Sequence, residues 1–370
     1  MRSHGEAGGQ KTSSEVGAAT LHVVVPGPLE QWTGGYIYDA RMVAGLRVQG
    51  WSVHVHNLPG QFPDVDGIAR EAMTGTLAAI PDGARVIIDG LAMGGDPVSI
   101  GREGGRLRIL SLVHHPLADE TGIGEVARAR FERCESAALA ACVGVVVTSD
   151  FTARRMAGFG VPVTRVRVAP PGADRVSLAV GPGSGVPPAL LCVASVVPRK
   201  GQDVLVRALA AIQNLRWTCS CVGSYDRDPA FAQSVVELIR AFGLESRIQL
   251  MGECEPEQLD AFYHSATVFV LPSHYEGYGM VLVDALVRGL PIVSTTGGAI
   301  PFTVPSGAGV LVSPGDERAL AGGLRSLLEP GAGEARRKDL AEVARHHAVA
   351  VPEWNEAARV FGEAVLELTP

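Results

Sequence analysis

Short apolar, β-branched runs recur along the chain, closed by glycine, proline or polar residues and separated by stretches of helical period. The first is Leu21–Pro26 (LHVVVP). A glycine turn, WTGGY, follows, and a helix is predicted from Ile37 to Gln49, ended by Gly50. Trp51–Leu58 (WSVHVHNL) reads as the next strand. Further strands are predicted at Arg85–Asp89 (RVIID), Arg108–Val113 (RILSLV), Cys142–Thr148 (CVGVVVT) and Val166–Ala169 (VRVA), with a helix over Gly124–Ala141. Strand, glycine-rich loop, helix, strand is the start of a parallel α/β sheet.

From Pro170 to Pro188 (PPGADRVSLAVGPGSGVPP) the period lapses and the text turns Pro/Gly-rich, as in a linker. Then the pattern restarts. Strands are predicted at Leu190–Ser195, Trp217–Gly223, Arg247–Met251, Thr267–Leu271 and Pro291–Ser294. Helices alternate with them at about Gln202–Ile212, Pro229–Phe242, Pro256–His264 and Gly279–Arg288. The amphipathic tail Glu353–Leu368 reads as a closing helix. The expected organisation is a disordered tail over 1–19, a Rossmann-like domain over 20–172, a linker over 173–189, a second Rossmann-like domain over 190–350, and a final segment 351–370. In doubly wound α/β folds of this kind the ligand lies at the carboxyl ends of the strands, here in the cleft between the two halves.

Composition narrows the partners. Of 370 residues, 46% are hydrophobic and 19% charged, enough for sizeable cores and too apolar for a mostly disordered chain. With 32 Lys and Arg against 39 Asp and Glu the net charge is −7, so nucleic acid is not expected as a partner. No apolar run approaches the ~18 residues of a membrane span. The N-terminal text has no apolar h-region, and a cytoplasmic location is expected. Six cysteines lie mostly in apolar runs; no spaced His or second Cys pair completes a zinc site, so they read as buried free thiols.

P-loop, G-x-G-x-x-G, H-E-x-x-H and G-x-S-x-G patterns are missing at the places where they would work. Four other segments can carry chemistry. Val197–Gly201 (VPRKG) sets Arg199 and Lys200 after a strand and before a helix, where two cations make an anion site; a solvated basic turn is the plain alternative. Ser273–Met280 (SHYEGYGM) places Glu276 and two glycines ahead of a helix, with Asp284 inside it. Trp32–Gly35 allows close backbone approach to a ligand, or merely a tight turn. Leu112–Pro116 (LVHHP) puts His114 and His115 at a strand end, facing the cleft or simply packed in a turn.

Together, from about residue 21 to 365, these segments resemble retaining glycosyltransferases of the GT-B fold, family 4 (group 1). The most specific stretches are VASVVPRKGQDVLVRAL, LPSHYEGYGMVLVDALVRGLPIVST and GGAIPFTV. The resemblance implies two Rossmann-like domains facing a cleft, with the last helix crossing back to the first. It also implies a nucleotide-sugar donor held mainly by the second domain, an acceptor on the first, and no metal or other cofactor. By position, His114, Arg199, Lys200 and Glu276 match catalytic residues, the two cations neutralising the diphosphate and Glu276 holding sugar hydroxyls. Gly34, Gly35, Ser195, Gly277, Tyr278, Gly279, Met280 and Asp284 match donor-binding positions. His115 and Asp119 are acceptor-side candidates. Two positions depart from the pattern: Asp284 and Phe302 stand where relatives usually carry Glu. The expected activity is metal-independent, retaining hexosyl transfer from a UDP- or GDP-sugar to an unidentified saccharide, lipid-linked or small-molecule acceptor. Weak peripheral membrane contact through the first domain stays open. An epimerase or phosphorylase of the same fold, or a non-catalytic sugar-nucleotide-binding paralogue, is the alternative.

Overall fold

The computed structural model describes residues 19–370. The expected disordered tail over 1–19 lies outside them, apart from Ala19. The first sheet holds β1 (Thr20–Pro26), β2 (Ser52–Leu58), β3 (Arg85–Asp89), β4 (Arg108–Val113), β5 (Gly144–Val147) and β6 (Val166–Val168). Its order is β2-β1-β3-β4-β5-β6, with every pair parallel. The second holds β7 (Ala189–Val193), β8 (Thr218–Val222), β9 (Ile248–Gly252), β10 (Val268–Leu271), β11 (Ile292–Thr295) and β12 (Gly309–Val312). Its order is β12-β11-β10-β7-β8-β9, again all parallel. The inner strands are near-continuous apolar runs because helices cover both faces. In β1, Leu21, Val23 and Val25 face one helical layer, while Val24 faces the other.

Each sheet reverses its strand order once: between β1 and β3 in the first, between β7 and β10 in the second. Such switch points leave a crevice beyond the strand ends, because the helices that follow the two strands diverge to opposite faces. The segments after β1, β3, β7 and β10 therefore border the cleft.

The structure departs from the expectation locally, and the short helices of the first half, such as Gly67–Ala79, are not among the elements expected. The helix after β1 begins at Gly34, not Ile37, so Gly34 and Gly35 form its first turn, where N–H groups have no helical partner. The helices Glu317–Leu328 and Ala332–Ala348 and strand β12 also lie in a stretch left unassigned above. The first of these helices buries Leu320, Leu324, Leu327 and Leu328, a plain helical spacing.

The chain passes between the halves at two adjacent places. Ala173 bridges to Glu353, and Arg175 pairs with Glu353 at 2.9 Å. Beyond that point the helix Trp354–Leu368 packs on the helix Gly34–Val48. Ala357, Phe361, Val365 and Leu368 join Leu21, Tyr38 and Leu46 in the core of the first domain. This helix thus completes a core that β1 begins. Replacing the buried Phe361 by Ala should cost about 3–5 kcal/mol, read as a lower urea midpoint in a melt followed through the adjacent tryptophans. A loss below about 1 kcal/mol would mean that the helix adds little to that core.

Candidate active site

Both cations singled out in the sequence stand at the second switch point. Arg199 and Lys200 lie in a single 3-10 turn, Pro198–Lys200, directly after β7. Glu276 lies in the loop between β10 and the helix Met280–Val287. The Lys200 ammonium donates to Glu276 Oε1 at 2.6 Å, and Arg199 Nη1 stands 3.6 Å from Oε2. Glu276 is only 6% exposed. Burial alone would favour its neutral form, but Lys200 and then Arg199 outweigh it and hold the carboxyl below its ordinary range. In the same loop, none of the backbone N–H groups of Gly277, Tyr278, Gly279 or Met280 donates to another part of the described chain. They form an array of donors at a helix N-terminus, beside two cations. Ser195 lies on the same side, its carbonyl accepting from Gln202.

At the first switch point His114 follows β4. Its Nε2 stands 3.0 Å from Asp39 Oδ1 and 3.3 Å from Asp89 Oδ2. Asp39 comes from the helix after β1 and Asp89 ends β3. Among the described residues this is the one convergence of three His, Cys, Asp or Glu side chains, and its separations are those of hydrogen bonds. Gly35 backs onto the imidazole: a Cβ there would stand 3.2 Å from the ring, so the helix can approach only without a side chain.

The two halves touch directly. Arg199 Nε meets Glu120 Oε1 at 3.0 Å, and His115 Nε2 meets Glu120 Oε2 at 3.2 Å. Asp119 is bound by Arg155 through both oxygens and accepts from the Tyr275 hydroxyl at 3.4 Å. Ser149 and Thr152 donate to the Gly277 carbonyl at 2.7 and 3.3 Å. Gly277 presses against the His114 carbonyl, and any Cβ would collide there. Met280 reaches the first-domain core across the cleft, close to Gly34.

The candidates thus separate by role. His114, Arg199, Lys200, Glu276, Gly34, Gly35, Gly277 and Gly279 border one cleft. The Tyr278 ring instead packs with Ala173 and Val351 at the crossing between domains, leaving only its backbone for a ligand. Asp119 is already committed to Arg155 and Tyr275. Asp284 lies one turn into its helix, with Arg288, Asp174 and Arg41 as its charged neighbours, and burial raises its pKa to about 6. Phe302 is 53% exposed; its ring lies 5.9 Å from that of Phe151 and under the Arg154 guanidinium at 5.2 Å, so it lines the seam between the halves. Sequence reasoning missed Asp39, Asp89, Ser149 and Thr152. Asp89 had a signal, as a carboxylate ending a strand beside a switch point; Asp39 had none locally.

Residues 187–330, which span β7 to the helix Glu317–Leu328, match the family model described as Glycosyl transferases group 1. That match covers less than half of the chain. Among its relatives is a D-inositol 3-phosphate glycosyltransferase of Acidothermus cellulolyticus, 30% identical over 225 residues, covering 55% of this chain and 50% of that protein. Another is a GDP-mannose-dependent alpha-(1-6)-phosphatidylinositol monomannoside mannosyltransferase of Mycolicibacterium smegmatis, 27% identical over 242 residues, covering 60% and 61%. The chain spans about half the length of the curated relatives it matches. In fold, the chain superposes on a sucrose-phosphate synthase from Thermosynechococcus elongatus with a TM-score of 0.77, at 22% identity over 93% of this chain and 98% of the other. The architecture is GT-B.

Glu120 gives the contact between the halves a pH signature. Burial raises its pKa, but His115 and Arg199 outweigh that and lower it from 4.5 to about 2. Its stabilisation is therefore whole above pH 4.5 and lost as pH falls toward 2. The melting-temperature gap between wild type and Glu120→Gln should stay level above that range and close below it. A gap that widened in acid would reverse the assignment.

Proposed function

We propose that the chain is a retaining, metal-independent hexosyltransferase. It takes a UDP- or GDP-linked sugar as donor, passes the sugar to an acceptor hydroxyl, and works in the cytoplasm. The observation that carries this is the Arg199–Lys200–Glu276 cluster facing the unpaired N–H groups of residues 277–280. Cleavage of an anomeric C–O bond expels a diphosphate, and these donors meet charge where it develops. The cations are held ready by Glu276 and Glu120, so a diphosphate exchanges for carboxylates already in place. Glu276, released from Lys200, is then free to accept from donor-sugar hydroxyls. Among the described residues the other acids beside the loop are already engaged, Glu120 by Arg199 and His115 and Asp119 by Arg155, which favours attack and departure on the same face of the sugar. The relatives' printed acceptors, an inositol phosphate and a phosphatidylinositol mannoside, support a polyol hydroxyl as the attacking group.

Contact between the halves would shield the donor from water. Among the described residues no helix is long and apolar enough to cross a membrane, so membrane contact, if needed for the acceptor, would be peripheral.

A thermal-shift series with UDP-, GDP-, ADP-, TDP- and CDP-sugars in EDTA tests the reading. One nucleotide class should raise the melting temperature of wild type but not of Lys200→Ala. Glu276→Gln should then lower kcat by about a hundredfold or more. Stabilisation that required a divalent ion would overturn metal independence. No stabilisation by any sugar nucleotide would favour the non-catalytic alternative, with Asp284 and Phe302 as the changes responsible.

A further inference from the structure

The transfer reading leaves His114 and its two carboxylate partners without a role. Asp39 is 2% exposed and Asp89 7%. Asp89 spends Oδ1 on the Leu91 N–H at 2.7 Å, which leaves Oδ2 for His114. No Lys or Arg among the described residues pairs with either acid. Of the arginines on these elements, Arg41 pairs with Asp174, Arg47 donates to the Val53 carbonyl and Arg85 to Thr369, and Arg108 starts β4 at the far end from His114; the phenols have internal partners too, Tyr36 donating to the Pro26 carbonyl and Tyr38 to that of Ala169 at 2.8 Å. The Tyr38 ring meets the imidazole edge-on at a centroid distance of 5.4 Å, which restricts its rotation. Two buried carboxylates therefore share one partner that can carry positive charge, and both address the same ring nitrogen.

That arrangement decides what the other nitrogen can do. Nε2 must hold a hydrogen, because both of its neighbours are acceptors. Only Nδ1 is left for a ligand. A neutral ring would present an acceptor there. An uncompensated pair of buried carboxylates is costly, so the ring is held as the imidazolium and Nδ1 also carries a hydrogen. We propose that Asp39 and Asp89 are positioning residues that lock His114 as a double donor, so that toward the cleft it can donate to a substrate oxygen and cannot act as a base. The inference rests on the transfer reading for its purpose, but not for its geometry.

Long-range 1H–15N NMR of the imidazole, assigned by loss of the signals in His114→Gln, tests this without donor or turnover. In wild type both ring nitrogens should remain protonated at about pH 8. In Asp39→Asn and in Asp89→Asn the midpoint should fall by about one to three pH units. A neutral ring in wild type at that pH, or variants whose midpoint does not move, would overturn the assignment even if the enzyme transfers sugar. With a donor identified, kcat/KM of Asp39→Asn should fall about tenfold or more at the alkaline end and recover as the medium reprotonates the ring. A loss that is the same at every pH would reduce both acids to a structural role. Wild-type NMR alone keeps the question decidable if either variant folds poorly.

Discussion

A buried ion pair without a second cation would be a liability; the Lys200–Glu276 pair, with Arg199 beside it, is instead the point on which the cleft is organised. Taking a carboxylate and an ammonium out of water is expensive, and their attraction repays it only with close geometry and further hydrogen bonds. Here the 2.6 Å contact supplies the geometry, and Arg199 extends the network to the Tyr275 carbonyl and to Glu120 of the opposite half. The same charges that hold the loops after β7 and β10 together also tie the second domain to the first. On the proposed reading, a diphosphate would compete with these carboxylates for cations that they already hold in position.

The first domain solves a related problem with opposite signs. Around Lys200 two cations face Glu276, whereas around His114 two carboxylates face one ring. One wall of the cleft thus concentrates positive charge, and the other surrounds a single imidazole with acceptors. Between them Gly277 lies against the His114 carbonyl, with Ser149 and Thr152 holding its own carbonyl from the first domain. The orientation of the Gly277–Tyr278 peptide, and so the aim of the Tyr278 N–H, is set by residues of the other half. Contact between domains and organisation of the loop after β10 are one event rather than two.

Much of this was legible in the chain because it is local. Parallel strands buried on both faces are continuous apolar runs, and the loops that follow them carry their glycines and charges within a few residues; VPRKG and SHYEGYGM follow a strand and precede a helix as read. What was not legible is what only strand order creates. Asp39 is a single acid in a helix, with nothing in its neighbours to set it apart, and it matters because β3 and β4 lie side by side and bring Asp89 and His114 to it. Asp119 reads as a cleft-lining acid until Arg155, from the segment after β5, is found to occupy it. The helical start at Gly34 escaped because glycine is a poor helix former; close packing against His114 overrides that preference.

The placement of the last helix bears on how the molecule is made. Its apolar face is part of the core begun by β1, and the whole second domain is translated in between. On the ribosome the first half must therefore wait, lacking one layer of its core, while the second half, whose strands and helices are contiguous in sequence, can close by itself. Synthesis runs from the amino end, but completion runs the other way: the domain that starts first is sealed only after the second has been made.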